Sequence, residues 1–120
     1  MTILLHGTTR SRAKRIEVAG PNPDFVEPGE HVSAKGFSCC LESGPFPFGT
    51  PEEYARHKAA LFPNEGGAAI LAVDVPENIL LATVDEYFPL SQGLIQFDEG
   101  EALEKLREAW PTLWKEIRFP

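Results

Sequence analysis

Long apolar runs, metal-ligand spacings and a usable cysteine pair are all missing from this sequence. Its 120 residues hold two cysteines, three histidines and one methionine. No stretch approaches the ~20 apolar residues that a membrane-spanning helix needs, and the start lacks a secretory leader pattern, which points to a cytoplasmic protein with no membrane partner. Neither HExxH nor CxxC occurs, and the scattered histidines offer no ligand spacing, so no metal is expected. Cys39 and Cys40 are neighbours. In a strand they point to opposite faces and cannot form an ordinary bridge, so both are expected to be reduced and to act as small apolar residues. Positive charge is also scarce: 11 Lys and Arg stand against 18 Asp and Glu, a net charge of −7. That balance argues against a non-specific grip on nucleic acid or on an anionic membrane. The exception is local, because Arg10, Arg12, Lys14 and Arg15 crowd one stretch. Such a run is either a solvated face or a guide for a phosphate-bearing ligand. Repeats, linkers and low-complexity tails are absent too, and residues 1–120 suit one domain with its own core.

What is present is a series of well-marked elements. The apolar run Thr2-Ile3-Leu4-Leu5 is followed at once by His6-Gly7-Thr8-Thr9. A buried strand thus delivers an imidazole, a glycine and hydroxyls to its C-terminal end, where sites tend to be built. A helix is expected from Thr9 or Ser11 to Gly20-Pro21, anchored mainly by Ile16. Residues 21–34 read as a surface loop, 35–41 as a second strand, and 44–49 as irregular. Thr50, Pro51 and Glu53 start the next helix with a capping box. Its packing stripe is Ala55, Ala59 and Phe62, with Tyr54 at the edge, and Pro63 stops it. Residues 68–75 form the best strand, nearly apolar and expected to be covered on both faces. Strands are also expected over 79–84 and 94–97, and an edge strand over 115–119. Asp98-x-x-Glu101 reads as a second capping box, before a helix carrying Leu103, Leu106 and Trp110 on one face. The order is β-α-β-α-β-β-β-α-β, an α+β domain.

Several residues carry chemistry worth weighing. His6 is either a structural hydrogen-bonder or a ligand-facing group, and Gly7 beside it would let a ligand reach the backbone. Tyr54 is either core packing or a stacking surface. His57, one turn along, reads as a surface residue. A Cys–His nucleophile from Cys39 or Cys40 requires proximity that the spacing does not supply. Asp98 and Glu101 are explained by capping, while Glu99 sits beside them. Gln96 is not needed for packing in an apolar strand, which makes it a candidate polar group aimed into a cleft.

Together, His6-Gly7-Thr8 on a first strand, a helix ending in glycine, and Lys35-Gly36-Phe37-Ser38 on a second strand form a recognisable order. Tyr54-Ala55 on the next helix and a late strand running into Phe97-Asp98 extend it. The chain resembles the ADP-ribosyltransferase superfamily of the diphtheria-toxin and poly(ADP-ribose) polymerase type. The resemblance implies a single small α+β domain, a split mixed β-sheet with two to three helices, holding NAD in a cleft as substrate. It implies that His6 hydrogen-bonds the adenine-side ribose, that the Gly7 backbone pairs with the nicotinamide amide, and that Tyr54 stacks on the nicotinamide ring. Thr8, Phe37 and Ser38 complete the implied nucleotide-binding set. Two positions depart from the family. Ser38 stands where the family has a strand tyrosine, and Gly93, flanked by Gln92, stands where it has its glutamate. Cleavage of the nicotinamide–ribose bond develops positive charge that a carboxylate stabilises. Two alternatives follow: a transferase using another acid, Glu99 or Asp98, with Gln96 as a further polar group, or a non-catalytic module. Such a module would bind a ligand or protein through the pocket or the loop of Phe46 and Phe48. The acceptor stays open among a protein, a nucleic-acid end, a small molecule and water, with nucleic acid fitting the acidic surface least.

Overall fold

The computed structural model describes residues 2–22, 36–46, 49–80, 94–98 and 100–120. Strand β1 (Ile3–Thr9) passes into helix α1 (Arg10–Ala19) with no intervening loop. Thr9 makes this switch: its backbone is still extended while its hydroxyl accepts the Arg12 N–H at 3.3 Å, the N-cap bond. Gly20 ends the helix at φ 81°, a left-handed conformation that costs a glycine nothing. Strand β2 (Gly36–Leu41) is followed by α2 (Pro51–Leu61), where the Thr50 hydroxyl accepts the Glu53 N–H at 3.2 Å and Pro51 takes the first turn. Then come β3 (Ala68–Asp74), α3 (Glu77–Leu80), β4 (Leu94–Asp98), α4 (Glu101–Ala109), a 3-10 turn (Trp110–Thr112) and β5 (Lys115–Arg118).

The five strands form one sheet in the order β4-β2-β1-β3-β5, and every ladder among them is antiparallel, not mixed. Between β1 and β3 the ladder is full length, from Ile3↔Asp74 to Thr9↔Ala68. Between β1 and β2 it holds only Leu4↔Leu41 and Leu5↔Cys40. Beyond that point β2 continues with β4, from Cys40↔Leu94 to Gly36↔Asp98. The sheet therefore opens between β1 and β2 at His6.

Alternation along the strands gives two unlike faces. One carries Leu4, Phe37, Cys39, Leu71, Val73, Ile95 and Phe97 against Leu103 and Leu106 of α4, Trp110, and Ile79 and Leu80 of α3. The Trp110 indole N–H donates to the Glu17 carbonyl at 3.0 Å and so ties α1 to this core. Ala13 is the fully buried residue of α1, and Ile16 packs at the edge of the cluster. The other face carries Leu5, Ile70 and Ala72 against Ala55 of α2, with Ile3, Cys40 and Ala68 around them.

Two expectations change. In place of a strand beginning at residue 79 there is a helical turn, because the Pro76 carbonyl accepts both the Ile79 and Leu80 N–H groups at 3.0 and 3.1 Å. A short apolar run has no periodicity to distinguish a buried turn from a strand. This turn raises the helices to four among the described residues; residues 81–93 lie outside them. The second capping box also does not form. Asp98 is the last ladder residue of β4, Gly100 occupies the N-cap with no side-chain bond, and Glu101 pairs with Lys105 at 2.9 Å.

Candidate functional site at the sheet opening

The opening between β1 and β2 is bridged by a side chain. His6 Nδ1 lies 2.6 Å from the Ser38 carbonyl oxygen, and its ring rests 4.4 Å from the Phe37 ring at 33°. A carbonyl only accepts, so Nδ1 carries the hydrogen, and in the neutral ring Nε2 is the acceptor nitrogen. Phe37 itself is buried, with Phe97 and Trp110 at 6.3 and 6.2 Å on its other sides. It bears on the opening through His6. Thr8 is only 4% exposed and Thr9 is occupied as the α1 cap, so neither hydroxyl is on the surface.

Gly7 faces the opposite way, onto α2. A Cβ there would stand 2.7 Å from the Pro51 carbonyl oxygen, 3.2 Å from the Ala55 nitrogen and 3.4 Å from Tyr54 Cδ1. The helix backbone thus lies directly on the strand, an approach that only a glycine permits. This contact carries Tyr54 to the strand end. The tyrosine is 43% exposed and belongs to neither core cluster. Beneath it, the Lys58 ammonium sits 5.2 Å from the ring centroid and is buried. The packing stripe of α2 is Pro51, Ala55 and Lys58, whereas Ala59 is half-buried and Phe62 ends the helix under the Arg12 guanidinium, 4.0 Å away.

On the same side of the sheet as Cys40, Ser38 is exposed and its hydroxyl donates to the Gln96 amide oxygen across the β2–β4 ladder. The structure therefore brings His6 to the Phe37 ring and the Ser38 main chain at the opening, while the Ser38 and Gln96 side chains lie on the other face, the one on which Tyr54 sits over Gly7. His57 is exposed on α2. Glu99, Gln92 and Gly93 lie outside the described residues, as do residues 23–35 and Phe48. In the sequence Lys58 falls at helical spacing with Tyr54, Ala55, Ala59 and Phe62, and the structure buries it there; the seating of α2 on Gly7 escaped the sequence.

The thiols are held protonated. Burial pushes the Cys39 thiol well above its ordinary value, and burial followed by the Glu52 charge pushes Cys40 up to about 11. The thiolate is the nucleophilic form, so neither cysteine serves as one at neutral pH. Cys40 instead donates weakly to the Leu5 carbonyl at 3.7 Å. Among the described residues no three His, Cys, Asp or Glu side chains gather in a way that would hold a metal ion. Part of the basic run is structural. Arg12 grips Glu65 through two bonds of 2.6 and 3.3 Å, and the Thr9 hydroxyl donates to the same carboxylate at 2.8 Å. The Arg12 bond, more than any other contact, holds the Glu65 carboxyl below its usual range.

These features define a small α+β domain with a five-stranded antiparallel sheet and four helices, opened on one side of its central strand. Comparison of the chain with protein-family models, with curated proteins and with solved structures finds no match. No helix among the described residues is long and apolar enough to cross a membrane.

Proposed function

We propose that this chain is an ADP-ribosyltransferase-like domain that binds NAD at the opening between β1 and β2. The observation that carries this reading is Tyr54, a half-exposed ring seated against Gly7 on the face of the sheet that also carries Ser38 and Gln96. A flat, partly exposed ring beside hydrogen-bonding groups is a stacking platform for a heteroaromatic base such as nicotinamide. The Ser38 hydroxyl and Gln96 amide are suited to the carboxamide, and the His6 ring is suited to the ribose. For transfer of ADP-ribose, an acid must face the developing oxocarbenium-like centre. Gln96 is neutral, which leaves Glu99 or Asp98 for that role. A second reading, a binding module without catalysis, is favoured by the uncharged Ser38–Gln96 pair.

Calorimetric titration with NAD, followed by an assay of nicotinamide release, tests both. NAD binding with thermal stabilisation of the native protein is the expected result. In a transferase, Glu99→Gln abolishes nicotinamide release and leaves NAD affinity unchanged. Binding with no release for any acceptor identifies the binding module, and absence of NAD binding refutes the proposal.

A further inference from the structure

At the end of β1 remote from His6 lies a hollow of about 760 Å³ whose walls include Thr2, Asp74, Glu77, Leu80, Leu113 and Trp114. Thr2 and His6 are four residues apart on an extended strand, roughly 13 Å, so this hollow is separate from the opening. Among the described residues that line it there are two carboxylates and no lysine or arginine. Trp114 is 45% exposed although the core next to it takes Trp110 entirely. Its main chain is fixed, because its carbonyl accepts the Asp74 N–H at 3.0 Å. The Asp74 carboxylate is fixed as well: Oδ1 accepts the Thr2 N–H at 3.1 Å, which turns the side chain toward the start of β1.

The geometry points to a binding site for a small organic cation of the quaternary ammonium class in this hollow. The Trp114 indole would take the cationic head on its face, and Asp74 and Glu77 would balance its charge. An indole face attracts a poorly hydrated cation, and Leu80 and Leu113 add apolar walls beside it. A bare metal ion fits less well, because it needs six or so oxygen donors at close range, and among the described residues no third His, Cys, Asp or Glu joins the two carboxylates to hold one. The volume lies within the roughly 300–1,000 Å³ of small-ligand pockets, well above what a single protein side chain fills.

The test uses choline and its neutral isostere 3,3-dimethylbutan-1-ol, titrated at constant ionic strength into the full chain by calorimetry. Choline is expected to bind saturably and about fivefold or more tightly than the isostere, in keeping with a partly exposed cation–aromatic contact. Trp114→Ala and Asp74→Asn should each weaken it about fivefold or more, while Trp114→Phe, which keeps an aromatic face, retains most of it. Urea unfolding of each variant separates lost binding from lost folding. Absence of saturable choline binding, equal binding of the isostere, or affinity unmoved in both variants overturns the proposal. So does binding of an oligolysine peptide in place of choline, which would make the hollow a protein-docking surface.

Discussion

One face of the sheet is filled by Trp110, Phe37, Phe97, Leu103 and Leu106, whereas the other carries Leu5, Ile70, Ala72 and Ala55 under a single helix. Large side chains bury most of the apolar area and hold their helices at ordinary packing distance, so the first face supplies the greater part of the stability. Small ones let α2 settle onto Gly7, and they leave the β2–β4 half of that face to Ser38 and Gln96. Stability and accessible chemistry are thus divided between the two sides of a five-stranded sheet, and His6 stands at the gap where they meet.

Substitution on each side breaks or sharpens this contrast. The largest loss is expected for Trp110→Ala, about 3–5 kcal/mol by urea unfolding, since it empties the centre of the aromatic face. Gly7→Ala comes next. Its methyl group meets helix backbone, not a movable side-chain tip, so α2 must shift at a cost of about 1–3 kcal/mol. NAD affinity should fall with it, because Tyr54 moves with the helix. Gly7→Ala with native stability would show that the close seating of α2 is not required.

A smaller effect attaches to the junction of β1 and α1. Glu65→Gln should cost about 1 kcal/mol at pH 7, the scale of a charged hydrogen bond at a partly exposed site. The sign with pH follows from the lowered carboxyl: the folded protein binds the Glu65 proton less readily than the unfolded chain does. The stabilisation is therefore complete above the ordinary carboxylate range and lost as pH falls through the folded-state value. The gap between wild type and Glu65→Gln should close on acidification, and a gap that widens in acid would contradict the assignment. Least of all, Ser38→Ala should move stability by no more than about 0.5 kcal/mol, as an exposed substitution, while weakening NAD binding.

Local signals in the chain carried much of the fold. Thr9 and Gly20 bounded α1, Thr50-Pro51-Glu53 started α2, and the apolar run at 68–75 became β3 with all its inner residues buried. Each depends on neighbours in sequence. What depends on distant pairing was not legible. Asp98 looks like a cap until Gly36 pairs with it, and Ile79-Leu80 looks like a strand until the Pro76 carbonyl folds it into a turn. The resemblance grouped His6 with Phe37 and Ser38, and the three do meet, but the role of Gly7 as the seat of α2 was not legible, because its cause is a helix more than forty residues along the chain.

The most direct test of the division between the two faces measures NAD affinity and unfolding free energy on one protein, Tyr54→Ala. A half-exposed stacking ring predicts an affinity loss of about tenfold or more, the worth of stacking one base, with stability changed by less than about 1 kcal/mol. Unchanged NAD affinity together with a loss of about 3–5 kcal/mol, as for a buried aromatic, would contradict it.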